Sequence, residues 1–195
     1  MSNYSIASAG RARTKAAGLA NRLRWLLHVA RRPALARGGP ALIVGSGAVI
    51  TLTGAGSIGR GVGVVALRDL TLAVQGRLTF GDHVFMARGV HITCFDAVSI
   101  GSDVRFGERV SIHDENHVIE PLSASSARAS GYVVSPVSIG DRVWLGANVV
   151  VLSGVSIGDD TVVAANSVVA SSLPPGVLAA GAPAQVKRAL RETID

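Results

Sequence analysis

Residues 137–169 read VSIGDRVWLGANVVVLSGVSIGDDTVVAANSVV, and Ile139, Leu145, Val151, Ile157, Val163 and Val169 recur in it every six residues without a break. Small or acidic residues follow many such positions, as in Ile139-Gly140, Leu145-Gly146 and Ile157-Gly158, and a β-branched residue often stands four after, as at Val143, Val149 and Val155. An α-helix turns about 100° per residue, so six steps end roughly 240° from the starting direction and cannot keep these side chains on one face. A short strand followed by a tight corner does keep them there. Each six-residue unit then supplies one flat side of a prism, and stacking successive coils buries the repeated aliphatic residue.

Working outward, the same spacing joins Ile100, Phe106, Ile112 and Val118, and before them Val74, Phe80, Met86, Ile92 and Val98. Composition agrees with a narrow aliphatic interior: 195 residues with 48% hydrophobic, 4% aromatic and 23 glycines give corners and files of Val, Ile and Leu instead of ring-filled layers. The length suits one domain with an appendage, and the hydrophobicity excludes wholesale disorder. No apolar run reaches a membrane-spanning length, and no secretory leader is expected. One cysteine, Cys94, cannot form an internal disulfide and fits a reducing compartment. In an ordinary repeat without an adjacent activating group, it reads as a buried structural thiol and not as a nucleophile.

The repeat breaks once. Between Val118 and Ile139 the distance is 21 residues where six is expected, so residues 119–135 leave as a loop. At its root lies Ser111-Ile112-His113-Asp114-Glu115-Asn116-His117, two imidazoles and two carboxylates in a chain with 5 histidines. Read alone, such a cluster serves either to cap backbone exposed where the loop departs or to carry acid–base chemistry.

From about residue 40 to 188 the chain resembles the hexapeptide-repeat acyltransferases, most closely the maltose, galactoside and polysaccharide O-acetyltransferases. The resemblance rests on the repeat itself, on Asn116-His117 followed by a long loop and Pro136-Val137-Ser138-Ile139-Gly140, on Val143-Trp144-Leu145-Gly146, and on Ala180-Gly181-Ala182-Pro183-Ala184 with Lys187-Arg188. It implies a mainly β fold, a left-handed parallel β-helix, with about seven or eight coils if every coil holds three units. It implies acetyl-CoA as acyl donor, a carbohydrate acceptor, and a homotrimer whose active sites lie between subunits. The domain reading is a basic N-terminal helical segment over 1–39, the β-helix over 40–172 with its loop at 119–135, and a C-terminal tail over 173–195, where Pro174 and Pro175 are expected to end the parallel sheet.

The resemblance also distributes roles. It places His117 where relatives carry the histidine that begins the excursion, as the general base taking the acceptor hydroxyl's proton during direct attack on acetyl-CoA. Asp114 or Glu115 is the candidate for fixing its tautomer, while His113 aligns with a non-catalytic position. Trp144, Ala147, Ala165, Lys187 and Arg188 are the expected CoA contacts, with small side chains admitting the pantetheine arm and Arg188 facing phosphate. Asn116, Ala87 and Arg88 are the expected acceptor-side residues, with no metal. Two departures stand out: Ala170-Ser171 replaces a Thr-Lys pair common in relatives, and Ala87-Arg88 replaces an acceptor-pocket asparagine, which points away from a small glycoside.

The net charge of +6 is uneven, because residues 1–37 hold eight basic side chains and no acid. Leu19, Leu23, Leu26 and Ala30 line one face of an expected amphipathic helix that Pro33 ends, with Trp25 and Leu27 beside them. That helix either packs on the domain or a neighbouring subunit, or lies on an anionic membrane surface through residues 10–32. A nucleic-acid partner is not expected, since the body outside this segment is mildly acidic. The expected location is cytoplasmic, free or peripheral at the inner membrane face. Three other readings accompany the main one: a xenobiotic acetyltransferase of the same fold, a γ-type carbonic anhydrase using His83, His113 and His117 as zinc ligands, and a scaffold without catalysis.

Overall fold

The computed structural model describes residues 42–118 and 131–190, and within them every regular element is a β-strand. The expected N-terminal helix lies outside the described residues. The strands form a three-faced parallel solenoid. Face A carries Leu42–Val44, Val64–Ala66, Phe85–Met86, Arg105–Phe106, Trp144–Leu145, Val162–Val163, Val177–Gly181 and Ala184–Ala189. Face B carries Val49–Leu52, Thr71–Val74, His91–Cys94, Ser111–His113, Val150–Val151 and Val168–Val169. Face C carries Ser57–Arg60, Arg77–Phe80, Ala97–Ile100, Val137–Ile139 and Ser156–Ile157, extended by a bridge from Ile157 to Leu173. The chain visits A, B and C in turn, so six coils stack into a parallel β-helix.

All six residues of the series Ile139 to Val169 are buried, as are Ile100, Phe106 and Ile112 and the whole series Val74 to Val98. The second positions Val104, Val110, Val143, Val149 and Val155 also point inward, at no more than 1% exposure. Each hexad therefore contributes two core residues, spaced alternately by two and four. Fully burying such a side chain contributes roughly 1.5–3 kcal/mol, and the single continuous file of them is what holds strands of two to four residues together.

The number of coils is six and not seven or eight, because coil length varies. Before the excursion Thr71 pairs with His91 and His91 with Ser111, a step of 20 residues. After it Ser138 pairs with Ser156, Trp144 with Val162 and Val150 with Val168, a step of 18. The two additional residues lie on face B, where Val90, Ile92 and Cys94 all point inward while the corresponding later strand offers Val149 and Val151.

The C-terminal prolines do not end the parallel sheet. Val177–Gly181 still pairs parallel with Val162–Val163, and Ala184–Ala189 then folds back antiparallel to close face A. Pro174 and Pro175 sit at a corner, outside the ladders, and the carbonyl of Pro174 accepts a hydrogen bond from the Thr161 hydroxyl at 2.9 Å.

Candidate active site

The excursion begins where a rung is missing. In the coil below, the amides of Gln75, Gly76 and Arg77 donate to the carbonyls of Cys94 and Asp96 in the next coil. The equivalent amides one coil up, Phe95, Asp96 and Ala97, have no such carbonyls above them, because the chain leaves the helix after Asp114. The Asp114 side chain takes their place: Oδ1 accepts from Phe95 N at 2.7 Å, and Oδ2 from Asp96 N at 2.8 Å and Ala97 N at 3.0 Å. Asp114 follows Leu52, Val74 and Cys94 in one file and is fully buried. Its charge is tolerable there because three backbone donors solvate it. Of the two roles open to the loop root, capping belongs to Asp114, and both its oxygens are engaged away from His117.

Glu115 faces His113. Its Oε1 lies 3.5 Å from His113 Nδ1, and His113 Nε2 lies 2.6 Å from Ser111 Oγ. The second oxygen, Oε2, is buried and has no hydrogen-bond partner among the described residues. His91, one coil below, stands with its ring 5.5 Å from that of His113 and its Nε2 3.1 Å from Thr93 Oγ1. Partial burial, then the neighbouring His113, holds His91 below the usual histidine range, with Glu115 opposing. His91 was not singled out in the sequence, because its neighbourhood depends on a 20-residue coil that a strict hexad count does not reveal.

His117 lies beyond this group, on a hairpin formed by Glu115–His117 and Tyr132–Val134, so the departure from the repeat starts four residues earlier than the hexad count indicates. Residues 119–130 of the loop lie outside the described residues. His117 pairs directly with Tyr132, and their rings are 4.6 Å apart at 41°. Among the described residues neither nitrogen of His117 has a hydrogen-bond partner. Tyr132 in turn meets Phe95 edge-on at 4.8 Å, and Asn116 Nδ2 donates to Ser153 Oγ at 2.6 Å. Ser135 N donates to Asp114 O at 2.8 Å, closing the mouth of the excursion before the chain rejoins face C.

The expected donor-side residues lie elsewhere on the prism. Trp144 projects from face A and is 55% exposed. Strand pairing sets it in one row with Phe85 and Arg105 on one side and Val162, Leu178 and Arg188 on the other. At about 4.8 Å per strand, Arg188 lies some 14 Å from Trp144 along the row, with Lys187 on the same strand. Ala87, Arg88, Ala147 and Ala165 share the edge between faces A and B. Gly146 at that edge admits no side chain, since a Cβ there would come within 2.6 Å of the Ala165 amide nitrogen.

The structure thus brings Asp114, Glu115, Asn116 and His117 to the edge between faces B and C, and gathers the donor-side candidates on face A and its border with B. Face A is across the prism from the B–C edge, so one copy does not unite the two sets. His83 sits at the third edge, in a left-handed turn beside Asp103 at 3.7 Å, far along the coil from His113 and His117. Among the described residues no three His, Cys, Asp or Glu side chains are grouped to hold a metal ion. Burial and the nearby Asp114 carboxylate push the Cys94 thiol up to about 12, which makes it inert as a nucleophile.

With this geometry in place, comparison with known proteins is direct. The bacterial transferase hexapeptide family (six repeats) matches residues 136–171. The Escherichia coli K12 protein WbbJ, which carries the name of a lipopolysaccharide biosynthesis O-acetyl transferase, is 39% identical over 139 residues, covering 67% of this chain and 71% of WbbJ. The crystal structure of the hexapeptide-repeat acetyltransferase VCA0836 from Vibrio cholerae superposes with a TM-score of 0.56 at 25% identity, covering 94% of this chain and 92% of that one. A galactoside acetyltransferase solved in complex with coenzyme A gives a TM-score of 0.50 at 28% identity, over 76% of this chain and 64% of its own. On its repeat, its fold and these relatives, the chain belongs to the hexapeptide-repeat acyltransferase family.

Proposed function

We propose that this protein transfers an acetyl group from acetyl-CoA to a hydroxyl of a carbohydrate, with His117 as general base. The observation that carries this reading is the imidazole at the single break in the wall, its ring set against that of Tyr132 and, among the described residues, neither nitrogen tied in a hydrogen bond. A sugar hydroxyl is a weak nucleophile near pH 7, and imidazole titrates in the range that base catalysis there requires. As the hydroxyl oxygen bonds to the thioester carbon, His117 takes its proton. When the C–S bond breaks, the proton passes to the departing thiolate, leaving an O-acetyl ester and CoA.

Trp144, Ala147, Ala165, Lys187 and Arg188 form the donor side, with Arg188 and Lys187 facing CoA phosphate and the small edge residues lying along the pantetheine arm. Because this surface is across the prism from His117, the site is completed between copies, the B–C edge of one subunit meeting the donor surface of the next in a homotrimer. Asn116, Ala87 and Arg88 belong to the acceptor side. Polysaccharide or glycolipid precursors suit the relative named for lipopolysaccharide O-acetyl transfer. The basic segment 10–32 then holds the enzyme at the anionic cytoplasmic face of a membrane; among the described residues no helix is long and apolar enough to cross one.

A second assignment of the base is favoured by one observation: His113, not His117, has a carboxylate on Nδ1 and a hydroxyl on Nε2, the order in which an orienting acid and a reacting oxygen flank a catalytic imidazole. Acetyl-CoA turnover, followed by thiol release against sugars, oligosaccharides and lipid-linked glycans, tests the function. Acceptor-dependent release with acetylated glycan as product is expected; absence of release with every acceptor would contradict it.

A further inference from the structure

Phe95, Tyr132 and His117 form a chain of ring contacts that neither the repeat nor the donor surface requires. Tyr132 leaves half of its side chain open to solvent, at 49%, beside exposed Val133 and Val134 on the same hairpin strand. Among the described residues the exposed large rings are Phe85, Tyr132 and Trp144, and of these Tyr132 alone stands on the hairpin beside His117. The ring is also firmly placed. Asp114 pins the Phe95 amide, the Phe95 ring meets Tyr132 edge-on, and Asn116 on the opposite hairpin strand is tied to Ser153. A phenol held this way loses little freedom when a ligand packs on it.

We infer that Tyr132 is a specificity-determining residue of the acceptor site: the ring that packs on His117 also receives the apolar C–H face of a pyranose whose hydroxyl His117 deprotonates. This rests on the carbohydrate O-acetylation reading and adds to it a substrate shape, a six-membered sugar ring lying flat on the hairpin. The chemistry matches the geometry. A pyranose has C–H faces that pack on aromatic carbon and hydroxyls that radiate from its rim. A sugar packed on the open part of Tyr132 lies next to the imidazole, whose ring centre is 4.6 Å from that of the tyrosine. Stacking fixes the distance of attack, and imidazole contact fixes the hydroxyl chosen.

The test uses the full-length enzyme, acetyl-CoA and the best glycan from the acceptor panel. Tyr132→Phe keeps the ring and should leave the acceptor KM within about twofold; Tyr132→Ala should raise it about tenfold while the KM for acetyl-CoA stays constant, an aromatic contact being worth that order. In the wild-type enzyme, nuclear Overhauser contacts should link the glycan's ring protons to a tyrosine ring, and they should survive Tyr4→Phe. An unchanged acceptor KM in Tyr132→Ala, a parallel rise in both KM values, or no tyrosine contact in the wild type would each overturn the inference and leave acetyl transfer standing. No acetylation of any glycan would overturn both.

Discussion

The wall below the excursion and the wall above it obey the same repeat with different coil lengths. Below, the face B strands Val49–Leu52, Thr71–Val74 and His91–Cys94 have four residues, the step is 22 in the first coil and 20 after it, and the core includes Phe80, Met86 and Phe106. Above, the strands from Trp144–Leu145 to Val168–Val169 have two residues, the step is 18, and the interior is mainly Val, Leu and Ile. The change happens at Asp114, the last member of the additional inward file, and the candidate catalytic hairpin departs at that point. At this seam the departure of the chain leaves the amides of Phe95, Asp96 and Ala97 without a backbone rung above them. Here a buried carboxylate accepts them, and the seam becomes the place where the chain can leave the wall and carry an imidazole.

Removing that carboxylate breaks the comparison most severely. Asp114→Ala leaves three amides without their acceptor at a half-buried corner, and at the low end of the roughly 1–3 kcal/mol for a buried group left unsatisfied a loss of about 2–4 kcal/mol is expected. Chemical denaturation measures it, and hydrogen exchange should show lost protection at Phe95, Asp96 and Ala97 ahead of the upper coils. A variant with unchanged stability would remove the seam as an explanation for the shift in coil length.

Above the seam, Trp144 is exposed and packs no core, so Trp144→Ala should leave thermal unfolding nearly unchanged while raising the KM for acetyl-CoA about tenfold, in the range of a lost aromatic contact. A drop in stability without a change in KM would return Trp144 to a purely structural role. Below the seam, the smallest effect concerns His91. Its native pKa is lowered, so the unfolded chain, with histidine near 6.5, takes up a proton first as pH falls. Its share of stability is therefore full above about pH 6.5 and is lost as pH falls toward the native value. His91→Gln should flatten that part of the stability curve; an identical acid limb in both proteins would contradict the assignment.

Much of this was legible before any coordinates. The six-residue spacing identified the inward residues because core positions alternate by steps of two and four in both halves, with one failure at Val118, which lies past the departure at Asp114 and is only half-buried. For the same reason it concealed the longer coils. Val74, Phe80, Met86, Ile92 and Val98 are six apart and all buried, yet Ile92 stacks on Leu72 and Cys94 on Val74, so the count slips by two residues per coil while still landing on the interior. The break was visible, and so was its concentration of His, Asp and Glu. What remained out of reach was which carboxylate served which neighbour. That depends on the missing rung above Phe95–Ala97, and on Glu115 lying two residues from His113 along a strand while His117 crosses to Tyr132. Resemblance had already set Trp144 and His117 in a site shared between subunits, and their positions on different sides of one prism are compatible with that reading.

The assignment of the base is tested most directly by measuring acceptor-dependent kcat for His117→Ala and His113→Ala side by side, with thermal unfolding confirming an intact β-helix in both. His117→Ala should fall by about a hundredfold or more, the lower bound of general-base contributions, and His113→Ala by far less. Wild-type turnover in His117→Ala, with the large loss in His113→Ala instead, would contradict the account and move the chemistry from the hairpin onto face B.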